Sequence, residues 1–155
     1  MKERGIIFTT DNVRLIEANK KGQTRRVAAR LVCPYGTIGD RLYIKETWRP
    51  CEAPYCNDSQ CVEWLASERC KNGRLATLNR KGWKSSMFMP KSLARIWLEI
   101  TGIRAEWLQD ISESDAVAEG VKDVAEYKVE WDTINGKKHP WSSNPWVWVI
   151  EFRKL

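Results

Sequence analysis

Residues 20–26 read Lys20-Lys21-Gly22-Gln23-Thr24-Arg25-Arg26, and this turn organises the reading of the whole chain. Four of its seven side chains are cationic, one carries a hydroxyl, and a glycine sits among them. Such a turn suits a phosphate or a polarised carbonyl, because cations attract the charge and backbone beside glycine can approach closely. Upstream, residues 5–8 form a short apolar strand, and Thr9, Thr10 and Asp11 are good helix N-caps. The spacing of Val13, Leu15 and Ile16 predicts a helix from about Asn12 to Asn19. Lys20 and Lys21 fall at its C-terminal end, where the helix dipole favours cations, and Gly22 is expected to stop it. Residues 24–32 read as extended. Alternation places Arg26 on the Thr24 face of that strand and sends Arg25 elsewhere.

The chain has 155 residues and 43% hydrophobic content, which is enough for one domain with a real core. No apolar stretch is long enough to span a membrane, and the start is too short in apolar residues for a signal peptide, so a cytoplasmic protein is expected. The net charge of +6 is unevenly spread: residues 1–49 hold eleven Lys/Arg against five Asp/Glu, whereas residues 106–132 hold two against nine. A basic N-terminal third facing an acidic late segment reads either as a polyanion-binding face or as an ordinary solvated surface. Nine tryptophans offer core filling or platforms for base stacking.

Turn signals at Pro34-Tyr35-Gly36 and Gly39-Asp40 lead into alternation from Arg41 to Trp48. Glu46 there shares a face with Leu42, Ile44 and Trp48, so it needs a partner, which Lys21 or Arg26 of the basic turn could supply. Residues 50–82 change character and read as an insertion with a short helical piece near Val62–Arg69. It holds Cys51, Cys56, Cys61 and Cys70, separated by four, four and eight residues. Four thiolates suit a tetrahedral structural zinc, although no C-x2-C pair is present; the alternative is free, reduced thiols. Cys33 reads as structural and His139 as a loop residue. A strand is expected over residues 94–104. A short helix should start at Ser112, with Asp115 as its capping-box partner and Gly120 as its stop. A second helix should run from about Val121 to Ile134, and a strand from Pro145 to Phe152 that is apolar on both faces and therefore sandwiched. These elements give an α+β chain built on a small twisted β-barrel or sheet with helices alongside.

The turn at residues 20–26 resembles the G-x-K-x-x-T-x-R signature of ASCH domains, a branch of the PUA-like superfamily. Lys21, Thr24 and Arg26 match it, and Asn19 stands where the signature has glycine. Gly39-Asp40-Arg41-Leu42, the acidic stretch from Ile111 to Val121, and Trp146–Phe152 resemble further family marks in the expected order. With Glu46-Thr47-Trp48 and Asn144-Pro145-Trp146, the chain is similar to the longer members found in bacteriophages and prophages. The resemblance implies a PUA-like β-barrel with flanking helices, a cleft between barrel and helix, and association with RNA or modified nucleosides. Some small members hydrolyse N4-acylated cytidines, a reaction thought to use a lysine, a threonine and a glutamate. By motif position these are Lys21, Thr24 and Glu119 here, with no cofactor required. Read from the residues alone, Glu119 sits at a helix end whose partial negative charge disfavours an ionised carboxylate, which suits acid/base work.

The expected function is therefore binding of RNA, single-stranded nucleic acid or a modified nucleoside through a basic cleft. Arg26, Glu46, Trp48, Asn144 and Trp146 are the further candidate ligand contacts. The alternatives are an N4-acylcytidine amidohydrolase using Lys21, Thr24 and Glu119, and a phage accessory module that binds a host protein.

Overall fold

In the computed structural model, which describes residues 1–76 and 81–155, strand β1 (Glu3–Ile7) runs into helix α1 (Thr10–Glu17). The helix starts where the sequence offers a cap: the Thr9 hydroxyl accepts the Asn12 amide at 3.3 Å. It buries Val13 and Ile16, and also Asn12. Gly22 does not stop it. Asn19 takes the left-handed conformation with φ 56°. Its amide reaches Ile16 O at 3.0 Å, and the Lys20 amide reaches Leu15 O at 2.8 Å, the paired bonds of a Schellman cap. Asparagine is the non-glycine residue that tolerates this geometry best, so the departure from the glycine signature is conformationally conservative.

The remaining elements are β2 (Gln23–Val27), β3 (Arg41–Lys45), β4 (Trp48–Pro50), β5 (Val62–Trp64), β6 (Trp97–Trp107), α2 (Glu113–Ala118), α3 (Val124–Asn135) and β7 (Trp146–Lys154). Five strands form one sheet in the order β1-β3-β6-β7-β2, with β1 parallel to β3 and the other pairs antiparallel. Among the described residues the ladder does not close into a barrel. The two edges are linked by a side chain instead, Arg26 Nη2 donating to Ile7 O at 2.6 Å. The fold is a small α+β architecture built on an open sheet.

The apolar patterns explain the layers. Ile6, Val13, Ile16, Leu42, Ile44, Leu98, Ile100, Ile150 and Phe152 form one core between the sheet and α1. Val147 and Val149 point to the opposite face and pack with Leu108, Ala116, Tyr127 and Trp131 under α2 and α3. The last strand is thus covered on both sides, as its sequence requires. A bulge between Ile100 and Gly102 lets β6 continue along β7 beyond the first core, to Trp107 opposite Trp146.

Several local expectations are corrected. The alternating run from Arg41 breaks after Lys45, and Trp48 starts a separate hairpin of β4 with β5. Val62–Trp64 is therefore strand, not helix, and each of its residues is buried. The extended segment after the basic turn ends at Val27, and α3 begins at Val124, where Asp123 caps the Glu126 amide. Thr77, Leu78, Asn79 and Arg80 of the expected insertion lie outside the described residues. No described helix is long and apolar enough to cross a membrane.

Helix α2 has its capping box, Ser112 with Asp115, and ends in a second Schellman cap. Gly120 N reaches Val117 O at 3.0 Å and Val121 N reaches Ala116 O at 3.2 Å, with Gly120 at φ 95°. A Cβ at Gly120 would sit 2.9 Å from Leu15 Cδ1 and 3.4 Å from Lys21 Cβ. Gly120→Ala is expected to cost about 1–2 kcal/mol in urea unfolding from backbone strain alone. Asn19→Gly should stay within about 0.5 kcal/mol of wild type, because glycine adopts the same φ freely. A larger loss for Asn19→Gly than for Gly120→Ala would contradict this reading of the two caps.

Candidate functional site

The two helix caps bring Lys21 and Glu119 together. Lys21 follows Ala18, the C-cap of α1, by three residues, and Glu119 is the C-cap of α2. Gly22 N donates to Ala118 O at 2.9 Å, which docks the turn against the helix end. Lys21 Nζ then donates to Glu119 O at 2.9 Å and to Glu119 Oε2 at 2.6 Å. Both side chains are buried, at 2% and 1% exposure. The ammonium thus serves as a charged cap for a helix whose last carbonyls point at it.

Arg25 keeps the face that strand alternation gives it, across from Val149, and that face is the one α2 covers. Its guanidinium is fully buried and meets three carboxylates: Glu119 at 3.0 Å, Glu106 at 2.6 Å and Asp115 at 3.0 Å. It also donates to Gln23 Oε1 at 2.5 Å. Arg104 extends the cluster to Asp115 at 3.0 Å and Glu151 at 2.5 Å. The basic turn and the acidic late segment therefore neutralise each other inside the protein. Burial pushes Asp115 up, but the Gln23 hydrogen bond, the Arg25 charge and the Arg104 hydrogen bond outweigh it and hold its carboxyl down at about 2.

A cavity of about 130 Å³ opens beside this pair. Lys21 lines it from the turn before β2, Thr24, Arg25 and Arg26 from β2, and Glu119 from the α2 end; Asn12 lines it from α1; Tyr127, Glu130, Trp131 and Ile134 line it from α3. Lys21 and Thr24 thus share one hollow with Glu119, 98 residues beyond Lys21 in the chain. Sequence reading missed Arg25, Asn12, Tyr127 and Glu130. The signal for the α3 residues was their spacing of three and four, which puts them on one helix face. Among the described residues, seven buried side-chain polar atoms lack a partner, and four belong to residues of this cavity: Asn12 Oδ1, Arg25 Nε, Arg26 Nε and Glu130 Oε2. Buried polar atoms are normally satisfied, so this concentration marks a place prepared for a polar guest. Burial raises the Glu130 carboxyl, partly offset by the Lys21 charge. Burial and the Glu119 charge push the Tyr127 phenol well up. Among the described residues no carboxylate pairs with Arg26, which donates to Ile7 O and lies 5.0 Å over the Phe8 ring and 5.9 Å from the Tyr35 centroid.

The other expected ligand contacts do not line this cavity. Glu46 is 1% exposed and pairs with Arg95, not with the basic turn, at 2.8 Å through Oε1 and 2.9 Å through Oε2. Burial raises its carboxyl against the opposing pull of Arg95, which also binds Glu17. Trp48 packs beside Val62, Trp64 and Met89, with Lys84 Nζ 5.1 Å over its ring. Asn144 adopts φ 44° and accepts the Gln109 amide at 2.9 Å, a structural role in the turn before β7. Trp146 is 42% exposed and meets Trp107 edge-on with centroids 4.8 Å apart, on the surface at the start of β7. The thiols of Cys51, Cys56, Cys61 and Cys70 gather within 4.8 Å of one another, and Cys33 is buried in the main core.

The fold of the chain is similar to that of an ASCH domain. Two solved structures support this. The ASCH domain from Lactobacillus crispatus JV V101 superposes with a TM-score of 0.52 at 12% identity, over 99% of this chain and 79% of that one. A protein from Enterococcus faecalis V583 superposes with a TM-score of 0.51 at 11% identity, over 100% and 80%. No family model and no curated protein matches the sequence.

Two outcomes follow from this geometry. Lys21→Met leaves Glu119 buried with one cation fewer and should cost about 3–5 kcal/mol in urea unfolding; a loss under about 1 kcal/mol would contradict the buried pairing. Asp115 has a folded pKa below its ordinary 3.8, so its stabilisation is present above that value and is lost as the pH falls toward 2. Unfolding midpoints followed down from about pH 5 should drop over that window, and Asp115→Asn should flatten the drop. Parallel curves for the two proteins would contradict the assignment.

Proposed function

We propose that the protein binds nucleic acid or a modified nucleoside by taking one base into the Lys21–Glu119 cavity. The observation that carries this is the convergence of Lys21, Thr24 and Glu119 on one hollow whose lining keeps hydrogen-bonding atoms of Asn12, Arg25, Arg26 and Glu130 unpartnered. The volume supports a single ring: about 130 Å³ is well below the roughly 300 Å³ that encloses a drug-sized ligand. Recognition here is by hydrogen bonds and ring faces more than by charge. Lys21 and Arg25 are spent on internal carboxylates, which leaves Arg26 and the exposed Lys20 to attract a phosphate. The reading places the protein in the cytoplasm among the longer phage- and prophage-type ASCH proteins, and RNA binding is the superfamily's general habit. It gives the clustered cysteines a structural metal rather than a part in recognition.

A second reading is favoured by the 2.6 Å contact of Lys21 with Glu119 beside Thr24. In it the site hydrolyses an N4-acylated cytidine. Thr24 orients a water, Glu119 takes its proton as it adds to the acyl carbon, and Lys21 steadies the developing oxyanion. The C–N4 bond then breaks, the proton passes to N4, and cytidine and a carboxylic acid leave.

Tryptophan fluorescence titrations with cytidine, N4-acetylcytidine and a short single-stranded RNA test the first reading, since Trp131 lines the cavity. At least one probe should bind, and Glu130→Gln or Asn12→Ala should weaken it about tenfold, the worth of one hydrogen bond to a polar guest. No binding by any probe, or binding that both variants leave unchanged, would overturn it. Chromatography of N4-acetylcytidine after incubation tests the second. Conversion to cytidine should vanish in Glu119→Gln and Thr24→Ala, and variants as active as wild type would remove the mechanism.

A further inference from the structure

Residues 51–74 hold a second site, independent of what the cavity binds. The Sγ atoms of Cys51, Cys56, Cys61 and Cys70 all lie within 4.8 Å of one another, with Cys56 and Cys70 at 4.0 Å. Four thiolates at about 2.3 Å from one zinc form a tetrahedron with edges of roughly 3.8 Å, so the observed gathering needs only a small contraction. None of the four is in a disulfide, and the sulfurs surround one point instead of forming two pairs.

Two further observations point to a ligand. Amides face the sulfurs: Ala53 N donates to Cys51 Sγ at 3.3 Å, and Asn72 Nδ2 donates to Cys56 Sγ at 3.9 Å. Amides aimed at sulfur stabilise a thiolate far more than a thiol. Outside β5, whose Val62 and Trp64 pack with Met89, the segment lacks a conventional core. Its buried cluster consists of Ala53, Cys61 and Cys70, with Cys51 and Cys56 packed against them. A loop with only sulfur and one methyl group at its centre cannot offset its ordering entropy by apolar burial.

The cluster is joined to the β4–β5 hairpin. Cys51 N donates to Cys61 O at 3.0 Å, continuing the ladder, and Lys71 N donates to Val62 O at 2.9 Å. Beside Cys51, Glu63 is fully buried, accepts the Glu52 amide at 3.2 Å and pairs with Arg49 at 2.9 Å. These bonds orient the ligand loop as outer partners commonly do around a metal.

We propose that Cys51, Cys56, Cys61 and Cys70 bind one zinc ion in a closed, structural tetrahedral site that folds residues 51–74 against the hairpin. Four protein ligands leave no open position, which separates such a site from a catalytic one. Soft thiolates select zinc or iron, and the narrow span of the sulfurs suits a single ion better than a multi-iron cluster. Binding replaces four thiol protons by one metal ion, with no redox change.

The test is elemental analysis of the full chain purified from zinc-supplemented cells without chelator. About one zinc per chain is expected. Cys33→Ala should keep it, and Cys56→Ala and Cys61→Ala should each lose at least nine-tenths of it. Because those variants are liable to misfold, the wild-type protein is also titrated with an organomercurial. Zinc should appear in solution as these four thiols react, and cobalt(II) added to the apoprotein should give the visible bands of a tetrahedral tetrathiolate. Zinc-loaded protein that holds less than a tenth of an equivalent, iron in place of zinc, or a Cys56→Ala protein that keeps its metal would each overturn the proposal.

Discussion

The structure turns on the burial of the Arg25 guanidinium among Glu106, Asp115 and Glu119. A cation with no exposure has a large desolvation cost, and only several well-placed carboxylates offset it. Those carboxylates come from β6, from α2 and from its cap, so the pairing fixes where α2 can lie. Lys21 repeats the arrangement one turn away by meeting both the carboxylate and the carbonyl of Glu119. Such a network adds little net stability compared with apolar packing, but it admits few alternative arrangements. Its consequence is a fixed cavity wall whose polar atoms are already oriented.

Much of the scaffold was legible because its signals are local. Thr9 and Ser112 cap helices, Gly120 ends one, and the apolar pattern of β7 declares burial on both faces. The basic turn and the acidic segment were visible as charge blocks. That they meet inside the protein was not, because composition does not distinguish a solvated charge from a paired one. Alternation sent Arg25 away from the site. Arg25 does lie on the face opposite Thr24, across from Val149, but the strand pattern could not show that α2 and its cap cover that face and bring Glu119 to it. Distance along the chain likewise hid the true partner of Glu46, since Arg95 lies 49 residues away in sequence.

The part of the chain least legible was residues 50–82. Its short strands carry too few residues for periodicity to show, and β5 was read as helix. Its cysteine spacing fits no tight knuckle, yet the hairpin brings the four sulfurs together without one. Asn19 is the opposite case. It looked like a loss of the family glycine, and its φ of 56° makes it a conformational substitute.

Function rests on whether the hollow beside Lys21 and Glu119 is where a base goes. Amide and indole NMR signals of isotope-labelled protein, followed while N4-acetylcytidine or a short single-stranded RNA is added, test this most directly. Shifts should concentrate at Asn12, Thr24, Arg26, Gly120 and the Trp131 indole. Shifts confined to the exposed Trp107–Trp146 pair, with the cavity signals unmoved, would contradict the account.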